Sequence, residues 1–205
     1  MKHLLRQGLL VIILFLGLSV HAQEFRSGFM LGVSATQVDG DNLSGYNKLG
    51  PHVGIFVERM FGDKFGLRPE FLFTIKGAKN YVDIDNTANP FKSSFYYIEV
   101  PFFLSYRVKK FQFEAGPSFG VLMYSYNSDN SGKYVMTDKY NRMEWAAHLG
   151  VSYRLKESMQ LYGRYSYSMD CVDGGNCGKL FTSPKLRPGY FHNVISVGMR
   201  KYFGS

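Results

Sequence analysis

Phe65-Gly66-Leu67-Arg68-Pro69-Glu70-Phe71-Leu72-Phe73-Thr74-Ile75 decides the fold. Phe65, Leu67, Phe71, Phe73 and Ile75 fall on one side of an extended chain, and Arg68, Glu70 and Thr74 on the other. That is a period of two, the signature of a strand with two unlike faces. A helix would scatter both sets around its circumference.

Working outward, the same alternation recurs in seven more segments. Gly28–Val38, Leu49–Arg59, Tyr97–Arg107, Phe111–Tyr124, Trp145–Leu155, Met159–Ser168 and Asn193–Phe203 each set large apolar residues against Gly, Ser or charged ones. Each is about the ten residues that a tilted membrane-spanning strand needs. The connectors alternate as well. Phe61–Lys64, Val108–Lys110 and Lys156–Ser158 are tight turns. Asp39–Lys48, Lys76–Tyr96, Ser125–Glu144 and Met169–His192 are long and rich in Asn, Asp, Ser and Gly. Short turns at one end and long loops at the other are the pattern of outer-membrane barrels. A soluble up-and-down barrel has no reason to sort its loops this way, and it would bury its apolar face inside. The fold class expected is all-β, an eight-stranded antiparallel up-and-down transmembrane β-barrel.

The amino terminus predicts where the chain goes. Lys2 and Arg6 precede an apolar run, Leu9–Val20, and Val20-His21-Ala22 offers a small-residue cleavage pattern. Residues 1–22 are therefore expected to be a signal peptide, and 23–205 a single barrel domain delivered to the bacterial outer membrane. Without Lys2 and Arg6, 22 basic residues remain of the 24, against 16 acidic ones, a net charge of +6. Nothing later in the chain approaches the 18 apolar residues of a spanning helix. The mean hydropathy of −0.15 averages apolar strand faces with polar loops. The aromatic content, 18 Phe, 15 Tyr and 1 Trp, argues for order.

The non-apolar face collects Glu58, Arg68, Glu70, Glu99, Glu114, Arg154, Arg164 and Arg200. Eight strands enclose an interior only wide enough for side chains to fill. Unpaired charges there would cost several kcal/mol each. These eight residues are therefore expected to form a paired network in a closed lumen, with the Gly of that face leaving room for the arginines. Cys171 and Cys177 flank five residues of the longest loop, and an exported chain favours a disulfide between them.

Chemistry is sparse. No phosphate-binding Gly loop, zinc-ligand spacing or Ser-His-Asp pattern is present, so no cofactor, metal or catalytic residue is assigned. Lys76, Lys79, Lys92, Lys133, Lys139, Arg142, Lys179, Lys185 and Arg187 fall in the long loops. They are scattered without a recognition fold for nucleic acid, and suit lipopolysaccharide phosphates outside an outer leaflet.

Tyr97-Ile98-Glu99-Val100-Pro101-Phe102-Phe103-Leu104 resembles a strand of the PorT-like outer-membrane β-barrel family of Bacteroidetes. Gly116-Pro117-Ser118-Phe119-Gly120, Leu149-Gly150-Val151-Ser152-Tyr153 and Leu161-Tyr162-Gly163-Arg164-Tyr165 are similar to later strands of that family. The resemblance implies an outer-membrane barrel and, through PorT, association with an envelope secretion machine. The expected function is a non-enzymatic, monomeric barrel with long extracellular loops for binding or envelope roles. Its partners are outer-membrane lipid, lipopolysaccharide and an envelope protein. The alternatives are an outer-membrane enzyme acting on lipid or peptide, a small-solute transporter, and a soluble ligand-binding barrel.

Overall fold

Alternation of side chains becomes a wall with two chemistries once the strands close on themselves. The computed structural model describes residues 25–41, 45–80, 90–173 and 189–204. Eight long strands make the wall: β1 (Phe25–Asp39), β2 (Lys48–Phe61), β3 (Phe65–Lys76), β4 (Lys92–Val108), β5 (Phe111–Asp129), β7 (Met143–Lys156), β8 (Met159–Ser168) and β9 (Phe191–Tyr202). A short β6 (Gly132–Val135) forms a hairpin with the end of β5. The sheet runs β4-β3-β2-β1-β9-β8-β7-β5, and β4 pairs with β5 to close the ring. All neighbours are antiparallel. The architecture is a closed eight-stranded antiparallel barrel.

Burial is inverted relative to a water-soluble barrel. Along β3, Phe65, Leu67, Phe71 and Phe73 are exposed on the outside, whereas Arg68 and Glu70 are sealed within. Exposed Phe29, Val53, Ile55, Phe102, Leu104, Phe113, Leu149 and Val197 continue the outer apolar surface around the barrel. Such a surface is compatible with hydrocarbon and not with water.

The inner face is less purely polar than the sequence suggests. Met30, Phe56, Leu72, Tyr162 and Tyr202 pack together inside, with the rings of Phe56 and Tyr202 edge to face at 5.0 Å. At the end carrying the long connectors, Val38, Ala78, Phe95, Tyr97, Leu122 and Val172 form a second cluster, against which Tyr140 and Tyr190 pack.

Two expected connectors are partly strand. β5 runs on to Asp129, and the segment after it turns back as β6. The turn is built locally: the Ser131 N–H donates to the Asp129 Oδ1 at 2.8 Å, and Gly132 takes a φ of 136° that favours glycine. β4 likewise begins at Lys92 rather than Tyr97. There the Ser93 N–H donates to the Ala78 carbonyl at 2.9 Å. The Ser93 Oγ also accepts from the Ala78 N–H at 3.0 Å. Serine-rich, non-alternating sequence hides both extensions from a periodicity reading.

Candidate functional site

The lumen holds the densest arrangement of polar groups. β2, β3, β5, β8 and β9 bring Glu58, Arg68, Glu70, Glu114, Arg164 and Arg200 into one cluster. Arg68 reaches Glu58 at 3.2 Å and Glu70 at 2.9 Å, and also pairs with Glu114. Arg164 lies 2.9 Å from Glu70 and 3.2 Å from Glu114. Arg200 lies 3.4 Å from Glu70 and 2.8 Å from Glu114. Three guanidinium groups face three carboxylates, so the cluster is formally neutral. Glu58 is further bonded, accepting from the Gln112 Nε2 at 2.7 Å and from the Tyr202 hydroxyl at 2.9 Å. The Nε of Arg164 and that of Arg200 find no hydrogen-bond partner among the described residues. Aromatic faces flank the guanidinium groups, with Arg164 4.1 Å from the Phe103 ring and Arg200 4.3 Å from Tyr162. Charge balance, forked hydrogen bonds and stacked rings are what permit ions to be buried without a large penalty.

Glu99 belongs to a second cluster nearer the long connectors. It pairs with Lys76, which also contacts Glu144 at 3.0 Å. Glu144 in turn accepts from Ser168 and lies 3.0 Å from the His192 Nδ1. Tyr97 lies beside this group, its ring 5.1 Å from the Lys76 ammonium.

The sequence reading needs three corrections here. Arg154 does not join the lumen network: it stands at the mouth near the short turns, 3.9 Å from Glu157, and is partly exposed. It is the last inward position of β7, beyond the level where the wall excludes water. Lys76 is not a loop lysine but the buried cation of the upper cluster. Its parity with Arg68, Glu70 and Thr74 was the available signal, as parity with His148 was for Glu144. Finally, the lumen-facing glycines do not chiefly accommodate arginines. A Cβ on Gly32 would stand 2.6 Å from the His52 ring, on Gly28 2.6 Å from Phe56, and on Gly198 2.5 Å from the Tyr162 hydroxyl. Bulky side chains of the adjacent strand lean across each glycine, because neighbouring strands are far closer than opposite walls.

Histidines are tied into the wall. The His52 Nδ1 lies 2.9 Å from the Ser34 Oγ, and its other nitrogen meets the Tyr162 hydroxyl. The His148 Nε2 lies 2.7 Å from the Ser118 Oγ. Between the two charge clusters is a cavity of about 20 Å³, bordered by His52, Lys76, Glu99, His148 and Arg164. That is the room of a single water molecule. No group of three His, Cys, Asp or Glu fit to hold a metal exists among the described residues. Cys171 is buried, and its expected partner Cys177 lies outside the described residues. The expected signal segment 1–22 and Lys179, Lys185 and Arg187 also lie outside them.

Residues 21–171 match the family described as outer membrane protein beta-barrel domain. Among solved structures, Neisserial surface protein A is similar, with 15% identity and a TM-score of 0.55 over 86% of this chain and 97% of that one. Ail, the attachment invasion locus protein of Yersinia pestis, solved in complex with the heparin analogue sucrose octasulfate, is also similar. It has 16% identity and a TM-score of 0.50 over 88% of this chain and 99% of that one. At such identities the likeness is one of fold. No curated protein matches the sequence at significant similarity.

Proposed function

This chain belongs to the outer membrane protein β-barrel domain family of the bacterial outer membrane, and from that premise we propose that it is a non-enzymatic, non-conducting barrel that binds partners through its long extracellular connectors. The observation that carries this reading is the filled lumen. Interlocked ions of Glu58, Arg68, Glu70, Glu114, Arg164 and Arg200 occupy the bore, and the cavity beside them is about 20 Å³. A solute path would require breaking pairs that are costly to break when buried. The histidines support the absence of catalysis: His52 and His148 are buried and bonded inside the wall, where no lipid or peptide reaches.

The chain is exported by cleavage after Ala22 and acts as a monomer surrounded by outer-membrane lipid and lipopolysaccharide. A narrower role, attachment to an envelope secretion machine, rests only on the resemblance of the Tyr97–Leu104 and Gly116–Gly120 motifs to the PorT-like family, and no residue singles it out. The complex of Ail with a sulfated sugar makes polyanions the first ligand class to try on the outer surface.

Planar-bilayer recording of the refolded chain tests the central reading. Conductance is expected to stay at the level of the bare membrane, and stepwise openings in the wild type would overturn it.

A further inference from the structure

Three strands at the extracellular rim, β4, β5 and β6, and the bridged segment that follows β3 carry a row of lysines that is invisible along the chain. Lys79 bridges Lys92, Lys92 stands opposite Ser128 on β5, and Ser128 stands opposite Lys133 on β6. Directly opposed residues of antiparallel strands project from the same face. The row therefore spans three strand spacings, about 14 Å. Like charges placed directly opposite destabilise a sheet, and here Lys79 faces Lys92. Lys48 adds a further cation close to both. No described carboxylate forms an ion pair with Lys79, Lys92 or Lys133. Asp129, which borders the same recess, accepts from the backbone of its own turn.

Below the row, the same outer face changes character in a fixed order. Tyr126 is two residues from Ser128, and Lys133 lies over its ring at 3.8 Å. Tyr96 packs against Tyr124 at 5.8 Å and Tyr126 at 6.2 Å, and Phe73 packs against Tyr96 at 6.2 Å. Lower still come Ile98, Val121 and Phe119. Hydrocarbon-facing side chains, then tyrosines, then cations is the sequence of layers from acyl chain through interface to phosphate. From Tyr124 to Ser128 is four residues, about 13 Å along a strand and about 10 Å of height at the usual tilt. A recess of about 470 Å³ opens beside the row, bordered by Lys79, Asn80, Phe91, Lys92, Ser128 and Asp129.

We propose that this lysine row on its tyrosine shelf is a binding site for the phosphorylated headgroup of an outer-leaflet glycolipid, with Lys79, Lys92 and Lys133 on the phosphates and Tyr96, Tyr124 and Tyr126 against the sugar and upper acyl region. The site rests on the membrane reading above, since only an embedded barrel places the tyrosines at the interface. An anion held by the row removes the repulsion between Lys79 and Lys92 and satisfies three cations with which no described carboxylate forms an ion pair.

The test uses the full chain refolded into phosphatidylcholine vesicles doped with diphosphorylated lipid A or with its dephosphorylated form. After extraction in mild detergent, the lipid A retained per barrel is counted by mass spectrometry. The wild type is expected to retain the phosphorylated form at least about tenfold better, since each lysine near an anionic headgroup contributes about fivefold. The triple variant K79Q/K92Q/K133Q is expected to lose that preference. The double variant K109Q/K110Q, altered at a short turn on the opposite rim, is expected to keep it. Equal retention of both lipids by an inserted wild type, or an undiminished preference in an inserted triple variant, overturns the site. So does inorganic pyrophosphate held as tightly as the lipid, which would mark a site for soluble phosphate. Insertion is read separately, by the shift in gel migration between unheated and heated samples. A wild type that enters neither vesicle overturns the membrane reading and the site with it.

Discussion

The two charge clusters of the lumen solve the same problem by different means. The lower one, built on Glu58, Glu70 and Glu114 with Arg68, Arg164 and Arg200, is neutral by itself and made entirely of strand residues. The upper one has a single lysine between Glu99 and Glu144, and depends on Ser168 and His192 to complete it. It lies beside an apolar cap to which Val172, Tyr140 and Tyr190 contribute from the connectors. Guanidinium forks suit the first case because each can serve two carboxylates in a plane. An ammonium suits the second, where the two carboxylates lie on different strands around one point. The lower cluster is thus a self-sufficient lock, and the upper one is only as ordered as the connectors above it.

The largest expected effect comes from unbalancing the lock. Glu114→Ala leaves three buried arginines with two carboxylates, and is expected to destabilise the barrel by about 3–5 kcal/mol. Urea unfolding in vesicles, followed by the heat-dependent gel shift, measures it. A loss below about 1 kcal/mol would mean that the lower cluster is not what holds the bore together. Lys76→Met strips the upper cluster of its lysine and is expected to cost less, about 2–3 kcal/mol. Glu144 keeps the Ser168 hydroxyl and the His192 ring as partners after the lysine is gone, so one of the two carboxylates stays hydrogen-bonded. If K76M proves the more damaging of the two, the contrast between the clusters is reversed. The smallest pair concerns the wall. Gly32→Ala pushes a Cβ to 2.6 Å from the His52 ring and 2.4 Å from the Val197 carbonyl, and is expected to cost about 1–3 kcal/mol. Gly163→Ala meets no atom within 4 Å and is expected to be neutral, or stabilising by up to about 1 kcal/mol. Equal effects in the same unfolding assay would show that close packing against the glycines is unimportant.

Much of the lower cluster was legible along the chain. Arg68 and Glu70 share parity on β3, and Glu58, Glu114, Arg164 and Arg200 each sit on the face opposite a run of exposed apolar residues. The misreadings lie at strand ends and rims. Lys76 and Glu144 keep the alternation of β3 and β7 but stand at the strand ends, where a polar residue in sequence reads equally as the start of a polar connector. Arg154 keeps the right parity but stands too near an open rim. Lys79, Lys92 and Lys133 look scattered because the register that aligns them passes through β5 and the β5–β6 hairpin.

Period-two patterning and alternating connector lengths determined the strands, their two faces and the barrel, because a side chain's face depends only on parity along its own strand. Pairing was decided by the tertiary structure alone. Which arginine meets which glutamate, which glycine receives which ring and which lysines form a row all depend on register and closure. Those join residues more than a hundred positions apart, such as Glu58 and Tyr202, whose proximity no local pattern encodes.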